Sequence, residues 1–205
     1  KDHQLVENIV IKTQGFVSGN FSEDDKAPGK MKPSGYGTYW MTAGQIIENL
    51  DKGMTSAVGT VHDESGAWVR INPLDGSGVG NDHLTSLRYG LVESDEMDVN
   101  EFAAKVKAMN LPVAATVYSG RRSLHAIVKV DARDMAEYKQ RMEKLYLRCE
   151  RNNIAVDRAN KDASRMTRMP GATRCGKRQY LAGLAQGAGD WEEWEEWYAE
   201  ETDEL

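Results

Sequence analysis

The chain has 205 residues, 40% apolar and 28% charged, with a formal net charge of −6. That length suits one ordinary domain with a buried core, and no stretch approaches the ~18 apolar residues of a membrane span. Two cysteines, Cys149 and Cys175, exclude a disulfide framework and a cysteine-rich zinc site.

No charged-then-apolar leader opens the chain, which starts at Lys1, so a processed piece and a cytoplasmic compartment are expected. The first 40 residues are rich in Gly, Lys and Ser, and the run SEDDKAPGKMKPSGYG (22–37) predicts a loop. Thr42 is a candidate helix cap, and Ile46, Ile47 and Leu50 supply an apolar face that ends near Gly53. SAVGTVH (56–62) and AWVRI (67–71) read as two strands joined by the turn DESG. NPLDGSGVGND (72–82) reads as a second loop. Its GSGVG is neither Gly-x-Gly-x-x-Gly nor a Walker loop, which argues against a dinucleotide or P-loop site.

A regular pattern follows. TSLRYGLVESD (85–95) predicts a strand. EFAAKVKAM (101–109) has helical spacing of Phe102, Val106 and Met109 after the capping candidate Asn100. PVAATVY (112–118) and SLHAIVKV (123–130) predict strands around a tight SGRR connection. Residues 134–152 predict a long helix with Met135, Tyr138, Met142, Leu145 and Cys149 on one stripe. QYLAG (179–183) is a candidate last strand. The order β-α-β-β-α-β predicts an α+β fold with an RRM-like split βαβ core, its helices on one face and its first strand central, beside the third. The expected division is an N-terminal α/β part (1–84), the core (85–185) and an acidic aromatic tail or linker helix (186–205).

Charge is unevenly spread. Residues 190–205 hold nine acids and no base, whereas residues 121–180 hold sixteen Lys and Arg against seven Asp and Glu. A basic middle suits a polyanion. In the tail, Trp191, Trp194 and Trp197 form a stripe on a helix. That stripe packs back on this domain or docks on a partner beyond it.

Three segments can carry chemistry. Glu93 and Asp95 lie two apart on a strand, so they share a face, and paired carboxylates suit a hard dication; an ordinary acidic strand end is the plainer reading. Ser123 and His125 also share a face, beside the basic turn Arg121-Arg122, and can donate to phosphate; a lone strand His is otherwise structural. Asp157 precedes Arg158, Lys161, Arg165 and Arg168 in DRANKDASRMTRMPG (157–171), a further acid with phosphate contacts or a basic surface loop. His3, His62, His83 and His125 are scattered with no His-x-His, which disfavours a rolling-circle nuclease.

Acid-x-acid, then Ser-x-His, then a later Asp, in this order, resembles the archaeo-eukaryotic primase superfamily, including the primase-polymerases. SRMTRMPG (164–171) is similar to the Arg-rich segment of its phage, plasmid and mobile-element members. The resemblance covers roughly residues 56–183, with Glu93 standing where many members have Asp. It implies nucleotidyl transfer with two Mg²⁺ or Mn²⁺ ions held by Glu93, Asp95 and Asp157. It further implies that Ser123, His125, Lys161 and Arg165 bind the triphosphate, and that Arg88, Arg121, Arg122 and Arg168 contact phosphate or template. The implied partners are nucleoside triphosphates, a single-stranded DNA template with its primer, and a C-terminal helical or helicase domain outside this chain. No membrane is implied. The competing expectation is a catalytically silent RRM-like nucleic-acid-binding domain of a replication initiator.

Overall fold

The computed structural model describes residues 14–18, 21–24, 27–33, 38–61, 63–64 and 66–202. Strands β1 (Gln14–Ser18), β2 (Phe21–Asp24), β3 (Ala27–Pro33) and β4 (Thr38–Thr42) open it. The expected loop at 22–37 is therefore largely a β2–β3 hairpin, apart from residues 25–26 and 34–37, which lie outside the described residues. Pro28 and Pro33 are tolerated there because β3 has a single neighbour, so a missing N–H breaks no second ladder.

Thr42 caps helix α1 (Ala43–Asp51) through a reciprocal box with Gln45, as its sequence suggests. The next expectation fails. Met54–Val58 is a short helix, α2, rather than a strand, and no hairpin joins it to β5 (Trp68–Arg70); His62 and Ser65 of that segment lie outside the described residues. A run this short carries no decisive periodicity. Gly53 and Gly59 take positive φ at both ends, and burial of Ala57 and Val58 against Met41, Ala67 and Met169 decides for helix.

The remaining elements follow the expected order. They are β6 (Leu87–Val92), α3 (Val99–Ala108), β7 (Val113–Tyr118), β8 (Leu124–Ala132) and α4 (Met135–Arg151). Short strands β9 (Met166–Arg168), β10 (Thr173–Arg174) and β11 (Lys177–Arg178) precede β12 (Tyr180–Gln186) and α5 (Trp191–Thr202). The cap of α3 is Asp98, whose carboxylate accepts from Asn100 and Glu101 N–H, not Asn100. Alternation puts Leu124, Ala126, Val128 and Val130 on the face of β8 that α3, α4 and α5 cover.

All pairings in the two four-stranded sheets are antiparallel. The larger runs β12-β7-β8-β6 and the other β4-β1-β5-β9. This corrects the expected sheet order: β6 is an edge strand, and β12 joins the far edge beside β7. The part that matters for the site holds, because β6 still pairs with β8, with Val92 opposite Ala126. The tail stripe packs on its own domain. Trp191, Trp194 and Tyr198 are buried, Trp194 Nε1 donates to Met109 O at 2.9 Å, and the Arg148 guanidinium lies 4.1 Å from the Tyr198 ring centre. No helix among the described residues is long and apolar enough to cross a membrane.

Candidate active-site cleft

The two sheets meet at β9. It pairs with β5 in one sheet and reaches the other through Thr167, whose hydroxyl lies 3.0 Å from His125 Nδ1. Gln179, fully buried, ties the same junction by bonding Ala67 N, Ala67 O and Met169 O. A cleft of about 400 Å³ opens here. Six arginines line it (Arg70, Arg121, Arg122, Arg165, Arg168 and Arg174) against three carboxylates (Glu93, Asp95 and Asp162), with Ser123 and His125 between them.

The β6–β8 pairing brings Glu93, just beyond β6, to His125 on β8. His125 Nε2 lies 3.0 Å from Glu93 Oε2, both side chains almost fully buried. The imidazole bridges two groups, Nε2–H donating to the carboxylate and Nδ1 hydrogen-bonded to Thr167 Oγ1. Ser123 Oγ donates to Ser119 Oγ and stands 3.5 Å from His125 Nε2. Burial alone would raise the Glu93 pKa; the His125 hydrogen bond and charge, with Arg165 and Arg168, outweigh it and hold the carboxyl below its ordinary value. Asp95 is more exposed and pairs with Arg122 at 3.7 Å.

Arginines crowd the same cleft. Burial first, and Arg174 second, lower the Arg168 pKa to about 9, which leaves it charged at neutral pH. Burial likewise lowers Arg70 and Arg174, with Arg165 and Arg121 adding to the effect. Arg174 Nε is buried and makes no hydrogen bond among the described residues. Glu93 and Asp95 offset part of this crowding at Arg168 and Arg174, and Asp162 does so at Arg70.

Not every expected residue reaches the cleft. The Asp157 carboxylate accepts from Ala159 N at 3.0 Å and Asn160 Nδ2 at 3.2 Å, capping the 3-10 turn Arg158–Asn160; its backbone N–H donates to Glu93 O at 2.9 Å. Lys161 lines a separate depression with Tyr138, Lys139 and Glu143. Arg88 lies near Asp131 and Tyr89, away from the cleft lining. Conversely, Trp68, Arg70, Asp162 and Arg174 line the cleft without having been singled out by sequence. Asp162 shares its run with Asp157, so two acids there were the available signal. Trp68 carries Arg168 over its ring at 4.3 Å.

The donor set bears on a metal. Glu93 and Asp95 offer hard oxygens to one cleft, which suits Mg²⁺ or Mn²⁺ in kind. Among the described residues, no cluster of three or more His, Cys, Asp or Glu is gathered as a metal cage.

Comparison with known proteins places the architecture. No protein-family model matches the sequence, and no curated protein matches it significantly. Solved structures do match. The archaeo-eukaryotic primase domain of the cyanophage S-2L primase-polymerase aligns over 95% of this chain and 91% of its own, with a TM-score of 0.51 and 15% identity. The catalytic domain of primase RepB′ in complex with initiator DNA aligns over 98% and 97%, at 0.54 and 16%. The fold is that of an archaeo-eukaryotic primase catalytic domain. A longer RepB′ primase chain aligns over all of this chain, which spans 65% of that protein, at 0.52 and 15%.

Proposed function

We propose that the cleft catalyses primase-type nucleotidyl transfer, making or extending a primer on a single-stranded DNA template. The observation that carries this reading is the convergence of Glu93, Asp95, Ser123 and His125 with six arginines in one cleft of a primase-type fold. In the reaction, a primer 3′-hydroxyl attacks the α-phosphate of a nucleoside triphosphate, and pyrophosphate leaves. Arg165, Arg168 and Arg174 neutralise the triphosphate. Arg174 Nε, buried and without a hydrogen-bond partner among the described residues, would donate to a phosphate oxygen once its side chain turns toward the cleft. Ser123 borders the same anion. His125 holds the Glu93 carboxylate ionised and oriented.

Glu93 and Asp95 would hold the divalent ions. Asp157 would join them once its carboxylate leaves Ala159 and Asn160. Bound Mg²⁺ or Mn²⁺ supplies Lewis acidity to the attacking and leaving oxygens. The engagement of Glu93 by His125 and of Asp157 by its turn favours a second reading, a silent nucleic-acid-binding domain. Incorporation of labelled nucleotide on a primed template, with and without divalent metal, separates the two. Metal-dependent incorporation that falls on the order of a hundredfold in folded Asp95→Asn supports catalysis. Full activity in that variant sinks the assignment.

A further inference from the structure

Beside the cleft, and sharing Arg121 and Arg122 with its lining, aromatic rings and cations meet at one corner of the larger sheet. Tyr180 on β12 stands opposite Tyr118 on β7, their ring centres 5.0 Å apart and tilted by 35°. Tyr180 is 48% exposed on the edge strand. Its partner is pinned: Tyr118 Oη donates to Arg121 O at 2.8 Å, locking the ring to the turn between β7 and β8. The platform therefore presents one free ring backed by one fixed ring.

Cations frame it. A Cβ on Gly120 would meet Arg174 Cβ at 3.2 Å and Lys177 O at 3.4 Å, so this turn packs directly on the β10–β11 hairpin. The contact gathers Arg121 and Arg122 from the turn with Lys177 and Arg178 from the hairpin, all four exposed. Arg178 precedes Tyr180 by two residues on extended chain, so both project to one side while the intervening Gln179 is buried. The nearby acids are engaged. Asp63 Oδ1 accepts Gly176 N–H, and Asp95 pairs with Arg122.

We propose that this corner, Tyr180 stacked on Tyr118 and framed by Arg121, Lys177 and Arg178, binds the unpaired template strand, with a base on the exposed tyrosine and phosphates on the cations. The chemistry selects a single strand over a duplex: a duplex keeps its base faces inside its own stack, whereas an unpaired base offers a face to a ring. It favours nucleic acid over an acidic peptide because every nucleotide pairs a stackable base with a phosphate, whereas a peptide supplies a ring beside its carboxylates only where its sequence places one. Cross-strand partners share a face, so Tyr118 and Tyr180 lie on the side of the sheet that carries Leu124, and a strand held there reaches the cleft around the β7–β8 turn, past Arg121 and Arg122; that route rests on the proposed template-directed reaction, and binding itself rests on the corner alone.

Fluorescence anisotropy with labelled oligothymidylate, in chelator and without nucleotide, tests it. Tyr180→Ala weakens binding on the order of tenfold, and Tyr180→Phe stays within about twofold of the parent. An abasic strand of equal length binds the unmodified protein as weakly as oligothymidylate binds Tyr180→Ala, a comparison that needs no variant to fold. Arg178→Ala reduces the slope of log affinity against log salt by about 0.7, the value for one phosphate contact on a single strand. Equal affinity of the unmodified protein for oligothymidylate and abasic strand, or an unchanged affinity in folded Tyr180→Ala, overturns the proposal. The titration involves no catalysis. A chain that shows this pattern yet never incorporates nucleotide refutes the reaction and leaves the template corner standing.

Discussion

Asn72 ties together three segments that flank the cleft. It is 1% exposed and makes four hydrogen bonds. Its Oδ1 accepts from Arg88 N and Tyr89 N, both at 2.9 Å, where the β6–β8 register shifts between Leu87 and Tyr89. Its Nδ2 donates to Tyr89 O at 2.8 Å and Ala163 O at 3.0 Å, tying the loop after β5 to β6 and to the segment that carries Asp162 and Arg165. Asn72→Ala orphans two part-buried N–H donors, at about 1–3 kcal/mol each where no water replaces the side chain. Tyr89 O keeps the Tyr138 hydroxyl at 3.1 Å, so the carbonyl side adds less. The expected loss is about 4 kcal/mol, or a fall in Tm of roughly 8–16 °C for a chain of this size. Urea unfolding reads it as a lower midpoint at unchanged slope. Asn72→Asp supplies the discriminating control. It keeps the acceptor but aims a carboxylate at Tyr89 O and Ala163 O, so it is destabilised at neutral pH and recovers on acidification, when the protonated acid can donate one bond. A loss below about 1 kcal/mol in Asn72→Ala would refute the claim that these donors have no other partner, solvent included.

His125→Ala removes the hydrogen bond that holds Glu93 ionised, at a cost of about 1.5–3 kcal/mol at neutral pH. Because the folded Glu93 pKa is depressed, that stability is present above the ordinary carboxylate range and is lost as pH falls through the folded pKa. The gap between parent and variant in urea unfolding should therefore close on acidification; a constant gap would contradict the assignment. Lys161→Ala should leave nucleotide affinity within about twofold, whereas Arg174→Ala weakens it on the order of tenfold or more, by titration with a nucleoside triphosphate; the reverse order would move the triphosphate to the other depression. Trp194→Ala should cost about 3–5 kcal/mol, because it empties a fully buried site and orphans Met109 O. A near-neutral result by thermal unfolding would show that α5 does not belong to the core.

How much of this was legible beforehand depends on the range of the interaction that decides each feature. The β-α-β-β-α-β order was readable because alternation in 124–130 and the stripe from Met135 to Cys149 are repeated local patterns, each long enough to favour one period. Glu93 with Asp95, and Ser123 with His125, were readable as pairs because residues two apart on a strand share a face whatever the strand pairs with. Their meeting in one cleft needed only β6 beside β8. The helix at 54–58 was not readable: five residues carry no period, and the choice is made by a pocket that Met41 and Met169 complete from distant parts of the chain. The edge position of β6 was decided by β12 pairing with β7, for which no residue in either strand is a local signal. The inventory of the cleft divides in the same way. Asp157 and Asp162 are equivalent in sequence, and only the turn that Asp157 caps turns one carboxylate to local hydrogen bonding while the other lines the cleft. Trp68, Arg70 and Arg174 arrive from β5 and the β10 hairpin once β9 bridges the two sheets; the charge of Arg174 then acts on Glu93 and Asp95 through space, and that of Arg70 on Asp162. Periodicity is written into neighbouring residues, and so the elements and the paired faces were determined by the sequence itself; which carboxylates, arginines and rings share a cavity is set by long-range packing, and only the tertiary structure decided it.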